Sequence, residues 1–370
     1  MQENIDPVAQ NERPAEIVRR LAPRLLEREP ELDARGIFAA DNIDDLRLSG
    51  LLLLNVPVSH GGLGADLSET TETLRLLAQS SPATALMLAM HTSTLAHYLV
   101  GDALVPAGLR DGFQHQRAWA FKEVRQGKIF AVANSEPGAG GDLKNSKALV
   151  HGNSSRVLTG TKSFASFGAN AHYFMAAARD ESDKVEYFLV RNDPAHVQVA
   201  VPWSALGMRS SESVVLRFES APVVGLLAYP GLLDGVNQRH WSTLSFTAIF
   251  VGIAESLLQD LVSRSVSALQ RVECVEMRLT IEACRSYLRY CVSIEPEPTD
   301  KEYRSRVRDC KLFVTRSLAR QAAAAFSTQT GAAYSFSSPI SRKFRDLLAG
   351  PPLRPPVGLT FDELWDEMSG

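Results

Sequence analysis

Few features of the simpler protein classes are present in this sequence of 370 residues. Cysteine is scarce. Four occur, at 274, 284, 291 and 310, with no CxxC pair. That excludes a disulfide scaffold and a zinc ribbon, and leaves the cysteines as small buried apolar side chains of a reduced compartment. Positive charge is not in surplus: 39 Lys+Arg stand against 42 Asp+Glu, a formal net charge of -3. A phosphate polymer finds no basic surface, so nucleic acid is not an expected partner. An uninterrupted apolar run of membrane length is missing too. The most apolar stretch, Pro82 to Val100, carries Thr84, His91, Thr92, Ser93, Thr94 and His97 and reads as a buried helix. The polar N-terminus has no signal-peptide or twin-arginine pattern, so the expected location is cytoplasmic. There is no internal repeat, P-loop, GxSxG elbow or HExxH, and the eight histidines show no metal-ligand spacing. The motif-defined phosphate-binding, serine-hydrolase and zinc-protease classes are thereby excluded, and no metal is expected.

What is there falls into three textures. Residues 1–115 read as a helical domain, with Ile17, Val18, Leu21, Leu25 and Leu26 at helical spacing. Asp41 or Asn42 is placed to cap a second helix, and Asp66 with Glu69 resembles a capping box for a third. Residues 116–230 read as strands: short segments rich in Val, Phe, Tyr and Ala, separated by Gly, Asn, Asp and Ser turns, suit an antiparallel barrel. Residues 231–370 return to helix and end in a tail with five prolines after Ser337. The class is α+β.

Five segments carry more than texture. They read NVPVSHGGLGADL from Asn55, ANSEPGAGGD from Ala133, LTGTKSFASFG from Leu158, WSALGMRS from Trp203 and SRKFRDLLAG from Ser341. In the second, Asn134 and Ser135 at a strand end offer short donors, and Pro137, Gly138, Gly140 and Gly141 let the backbone turn tightly against a phosphate. Taken in order, the five segments resemble the acyl-CoA dehydrogenase superfamily, flavoproteins with an N-terminal helical domain, a middle β-barrel and a C-terminal helical bundle. The resemblance implies FAD as cofactor, with FMN or diffusible reduced flavin as the alternative. It implies that Asn134 and Ser135 contact the flavin and that Gly140 and Gly141 approach its phosphates. Gly141 stands where the family often has Ser. Phe164 stands for a Trp packed on the flavin, and Ser166 for a Thr that bonds near N5. Arg271, Gln329 and Gly331 are the nearest matches to groups that reach the cofactor of a neighbouring subunit, so a homodimer or homotetramer is expected.

The sequence departs from the superfamily where its dehydrogenases keep their catalytic base. That base is a Glu, either shortly after the RD motif or on the first helix of the C-terminal domain. Here Arg345–Asp346 is followed by LLAGPPLRPPVG, with Arg354 near the first place, and the second, VNQRHWSTLSFTAIFVG, contains no carboxylate. General-base catalysis is worth roughly 10²–10⁴-fold, so ordinary dehydrogenation is not the first expectation. One branch of the superfamily lacks the Glu and uses reduced flavin and O₂ to oxygenate small molecules, in some cases with a separate flavin reductase. Some of its members place a His on the helix matching 83–100 and a Ser at the position of Ser166. His91 and Ser166 match both and are the expected catalytic pair. A further C-terminal His used by several members has no match, because the last histidine is His240. The expected activity is flavin-dependent monooxygenation, or a related oxidation, of a small-molecule or acyl-thioester substrate. The alternatives are a dehydrogenase of acyl-CoA or carrier-bound acyl groups with its base relocated to Asp234 or Glu255, and a non-redox homologue.

Overall fold

Local signals start and stop the first helices. The computed structural model describes residues 12–152, 155–232, 239–294, 301–353 and 355–369. Helix α1 (Pro14–Arg35) begins at a proline, with Glu16 Oε2 accepting from Arg13 N at 3.4 Å, and ends at Gly36 in the left-handed region. Its Ile17, Val18, Leu21 and Leu25 form the buried stripe. Neither Asp41 nor Asn42 caps α2 (Ala40–Leu48). Its N-cap is Ala39, and Asn42 is buried, donating to Thr84 Oγ1 at 3.0 Å. Burial of a side chain with a partner of its own outweighs the capping preference here. Asp66 caps α3 (Leu67–Ser80), its carboxylate accepting from Glu69 N at 2.8 Å. Helix α4 (Pro82–Leu104) is buried over most of its length, and α5 (Arg110–Arg125) carries the helical part past the expected boundary at 115.

The middle part is a seven-stranded sheet, β1 (Phe130–Val132), β2 (Leu149–His151), β3 (Val157–Ala165), β4 (Tyr173–Arg179), β5 (Val185–Arg191), β6 (Val197–Val201) and β7 (Val214–Leu226). The pairings β4-β2-β3-β7-β5 return to β4, so five strands close on themselves into a barrel, with β6 added to β7 and β1 to β4. The expected antiparallel barrel is antiparallel except at β4, which pairs in parallel with both β1 and β2. Closure removes strand edges that would otherwise be open to association.

The last part is helical: α6 (Arg239–Arg264), α7 (Ala268–Ser293), α8 (Lys301–Ser327), a single turn α9 (Gly331–Tyr334), α10 (Pro339–Leu347) and α11 (Val357–Ser369). Helix α6 packs against α3, α4, α7, α8 and α10, and joins the two helical parts into one core. By length and composition α6 could cross a bilayer, but most of it is buried inside the protein. The four cysteines are free and buried.

Candidate active site

Two of the sequence motifs meet through their backbones. Ser163 N donates to Ser135 O at 2.8 Å, an isolated bridge that ties the loop after β1 to the end of β3. Asn134 Oδ1 accepts from Ala177 N at 2.8 Å, fixing the same loop to β4. The loop then hangs on Glu136. Its carboxylate accepts from Lys162 Nζ at 2.5 Å, Ser146 Oγ at 2.5 Å, Lys147 N at 2.7 Å and Ala148 N at 3.2 Å. Lys162 is fully buried and also donates to the Ala177 carbonyl. Burial alone would raise the Glu136 pKa, but Lys162 and these donors hold it below the usual carboxylate range.

Past Glu136 the backbone turns through Gly138, Gly140 and Gly141, with φ of 77°, 63° and 89°. An L side chain rarely adopts such angles. This turn borders a cavity of about 1130 Å³ between α4, the barrel, α6 and the C-terminal tail. Asn134, Ser135, Gly140, Gly141, Phe164 and Ser166 all line it. Phe164 sits where the β3–β7 register shifts, with φ of 56° and its side chain 57% exposed. Its ring meets Trp203 edge-on at 6.3 Å. Ser166 is buried, and its Oγ lies 2.8 Å from Ser213 Oγ, which lies 2.8 Å from Ser211 Oγ. A glycine turn, an aromatic wall and a hydroxyl chain match the needs of a flavin's phosphate, ring and polar edge.

The tail closes the other side. Lys311 on α8 is fully buried, and its ammonium donates to the carbonyls of Leu353 and Pro355, each at 2.7 Å, and of Pro351 at 3.3 Å. Burial pulls its pKa down to about 7. The strap held this way lines the cavity with Pro352, Leu353, Pro355 and Pro356. Arg308 anchors the following α11 by ion pairs to Glu363 at 3.4 Å and Glu367 at 2.7 Å.

His91 does not line this cavity. It is fully buried, with Nδ1 accepting from Phe130 N at 3.1 Å and Nε2 donating to Leu52 O at 2.9 Å. Burial pulls its pKa to about 4, so it is a neutral cross-link between backbone segments and not a wall residue. The imidazoles that line the cavity are His97 on α4 and His240 on α6. His97 meets Tyr187 at a tilt, ring centroids 5.5 Å apart, and His240 meets Tyr303 edge-on at 5.4 Å. Glu255 is also away from the wall. It is ion-paired with Arg75, accepts from Gln79 Nε2 at 2.6 Å, and lies 3.8 Å from Arg285. Asp234 and Arg354 lie outside the described residues. Arg271, Gln329 and Gly331 do not line the cavity of their own chain. They cluster at the end of the bundle, where Gln270 Nε2 on α7 donates to Thr328 O at 3.1 Å, and Arg271 and Gly331 are exposed.

One signal for His97 was present in the sequence. Leu86, Met90 and His97 recur at i, i+4 and i+11, one stripe of a 100°-per-residue helix, whereas His91 is turned about 100° from Met90. No local signal places His240 or the strap, because their sites are built by contacts between distant segments.

Comparison with known proteins agrees with this geometry. The family profile "Acyl-CoA dehydrogenase, N-terminal domain" matches residues 10–103, and "Acyl-CoA dehydrogenase, middle domain" matches residues 131–221. The putative acyl-CoA dehydrogenase YdbM of Bacillus subtilis (strain 168) is 24% identical over 359 residues, 90% of this chain and 91% of that protein. A dibenzothiophene monooxygenase of Rhodococcus erythropolis is 27% identical over 264 residues, 66% of this chain and 60% of that protein. FMN-bound TdsC from Paenibacillus sp. A11-2 superposes with a TM-score of 0.82 at 22% identity, covering 96% of each chain.

Proposed function

The chain belongs to the acyl-CoA dehydrogenase family, and from that premise we propose that it is a flavin-dependent monooxygenase acting on a small apolar substrate. One observation carries the reading. On the α6 wall, where some dehydrogenases of the family keep their base, the cavity presents His240, Ser242, Thr243 and Phe246, none of them a carboxylate. Of the other acids on the lining, Glu136 is neutralised by Lys162 and Glu363 and Glu367 are paired with Arg308; Asp142 accepts from Lys144 N at 2.9 Å, and Asp366 lies on α11, away from the α6 wall. Glu136 and Glu367 are held below the usual carboxylate range by these partners and are poor proton acceptors.

The residues present fit a bound flavin. The turn at Gly138, Gly140 and Gly141 holds the phosphate end, Phe164 packs on the ring, and Ser135 and Ser166 contact its polar edge. Pro356 takes the room beside Gly141, which favours the shorter FMN over FAD. Reduced flavin, delivered by a separate reductase, supplies the electrons with which O₂ is activated. The protein's own part is to orient the substrate, exclude water with the strap, and hold protons at Ser166 and its serine neighbours. Arg271, Gln329 and Gly331 match groups that reach the diphosphate and adenine half of FAD across a homodimer or homotetramer interface, and FMN leaves them unused.

Two mixing experiments test this. With FMN regenerated as FMNH₂ in air, dibenzothiophene or indole is expected to yield an oxygenated product. With oxidised flavin under argon, butyryl-CoA is expected to leave the flavin spectrum unchanged. Bleaching by butyryl-CoA without O₂ would establish the dehydrogenase reading instead.

A further inference from the structure

His240 has chemistry that flavin binding leaves unused. It opens α6, is 8% exposed, and lines the cavity. Its Nδ1 is buried with no hydrogen-bond partner among the described residues. Native proteins leave few buried polar side-chain atoms in that condition, and each calls for an explanation. His91 shows the contrast: the same side chain, fully buried, has both ring nitrogens on backbone groups. The imidazole of His240 is neutral at pH 7, because burial pulls its pKa to about 4. It therefore offers one donor and one acceptor and no charge. The surrounding wall is apolar and partly aromatic, with Leu86 and Met90 from α4, Phe246 from α6, and Tyr187 and Tyr303. A flat apolar ring finds packing partners on several sides of this wall.

We propose that His240 is a substrate-binding residue: it hydrogen-bonds the N–H or O–H of a flat aromatic substrate held between α4 and α6. The site then prefers rings carrying that group over isosteres that lack it. An isostere would bury the imidazole's polar atoms without compensation, and such sites discriminate strongly against the analogue that lacks the partner. This rests on the reading of the cavity as the joint site of flavin and substrate.

The test uses the FMN-loaded protein with indole and 1-benzothiophene, bicyclic rings of similar shape with and without an N–H. Dissociation constants are read by calorimetry, and FMN affinity is measured separately. The wild type is expected to bind indole about five- to a hundred-fold more tightly. His240→Phe is expected to bring the two ligands within about twofold, with FMN affinity unchanged. His240→Leu serves the same purpose should the Phe variant fail to fold, and His240→Gln is expected to keep part of the preference. The proposal is overturned if the wild type binds the two rings equally, if it binds neither, or if the preference survives in the apolar variants. Failure of the wild type to hold FMN would overturn the flavin reading together with this one.

Discussion

Pro356 lies so close to Gly141 that a Cβ there would meet Pro356 Cγ at 2.5 Å and Cδ at 2.8 Å. Two departures of this chain from its family are therefore one structural fact. The glycine at 141, where the family often has Ser, makes room for the proline-rich strap that replaces the usual segment after the RD motif. Gly141→Ser is expected to destabilise the protein by about 1–3 kcal/mol, through overpacking and a side chain at φ +89°. Pro356→Ala removes the ring atoms it would strike, so the double variant is expected to recover part of the loss. A denaturation cycle over the four proteins measures the coupling. Strict additivity would mean that strap and turn do not press on each other.

The Glu136–Lys162 pair is expected to hold the cofactor loop in place. With Lys162 fully buried and the Glu136 side chain 6% exposed, Lys162→Met leaves a buried carboxylate without its ion partner, a loss of about 3–5 kcal/mol. FMN binding should weaken with it. The pH dependence has a definite sign. Glu136 sits below its ordinary value of 4.5, so its contribution is present above that pH and fades as the pH falls through the folded-state pKa. Glu136→Gln should flatten this acid limb of the stability curve. An equally steep limb in Glu136→Gln would assign the acid loss to other groups.

The motifs that were legible in the sequence are the ones whose function is local. ANSEPGAGGD sets the turn through its own glycine backbone angles, with Lys162 and Ala177 tying it to the barrel, and its partner SFASFG comes from the next long strand. The three-part fold was legible for the same reason, since periodicity and turn residues act over a few positions. His240, Lys311 and the strap were not legible. Their roles depend on Lys311 meeting Pro351, Leu353 and Pro355 some forty positions on, and on α6 facing α4 across the cavity. His91 and His97 share α4, but only His97 lines the cavity. A matching position names the helix, but the face is set by what packs against it.

His91 is expected to matter for stability and not for oxygen chemistry. His91→Leu orphans Phe130 N–H and the Leu52 carbonyl, at about 1–3 kcal/mol each. Its folded-state pKa of about 4 against an ordinary 6.5 means that the unfolded chain binds the extra proton between those values. Wild-type stability should therefore fall as the pH drops from about 6.5 to 4, and the variant should lack that part of the slope. The ratio of product to hydrogen peroxide, measured with FMNH₂ and air, should not change. A large shift toward peroxide in a folded His91→Leu protein would return the residue to the catalytic role its position in the family suggests.

Phe164 separates backbone strain from ligand contact. Its φ of 56° is a left-handed conformation in a residue with a bulky side chain, which costs roughly 1–2 kcal/mol and tends to occur at functional sites. The exposed ring is the apolar surface on which the flavin is expected to pack, and its removal should cost roughly 1.5–3 kcal/mol of binding. Phe164→Gly and Phe164→Ala both delete the ring, but only glycine relaxes the backbone. The glycine variant should be the more stable of the two by about 1 kcal/mol in chemical denaturation. Both should bind FMN about ten- to a hundred-fold more weakly than the wild type. Equal stability of the two would show that the turn is not strained. An unchanged FMN dissociation constant in either would place the ring system away from Phe164.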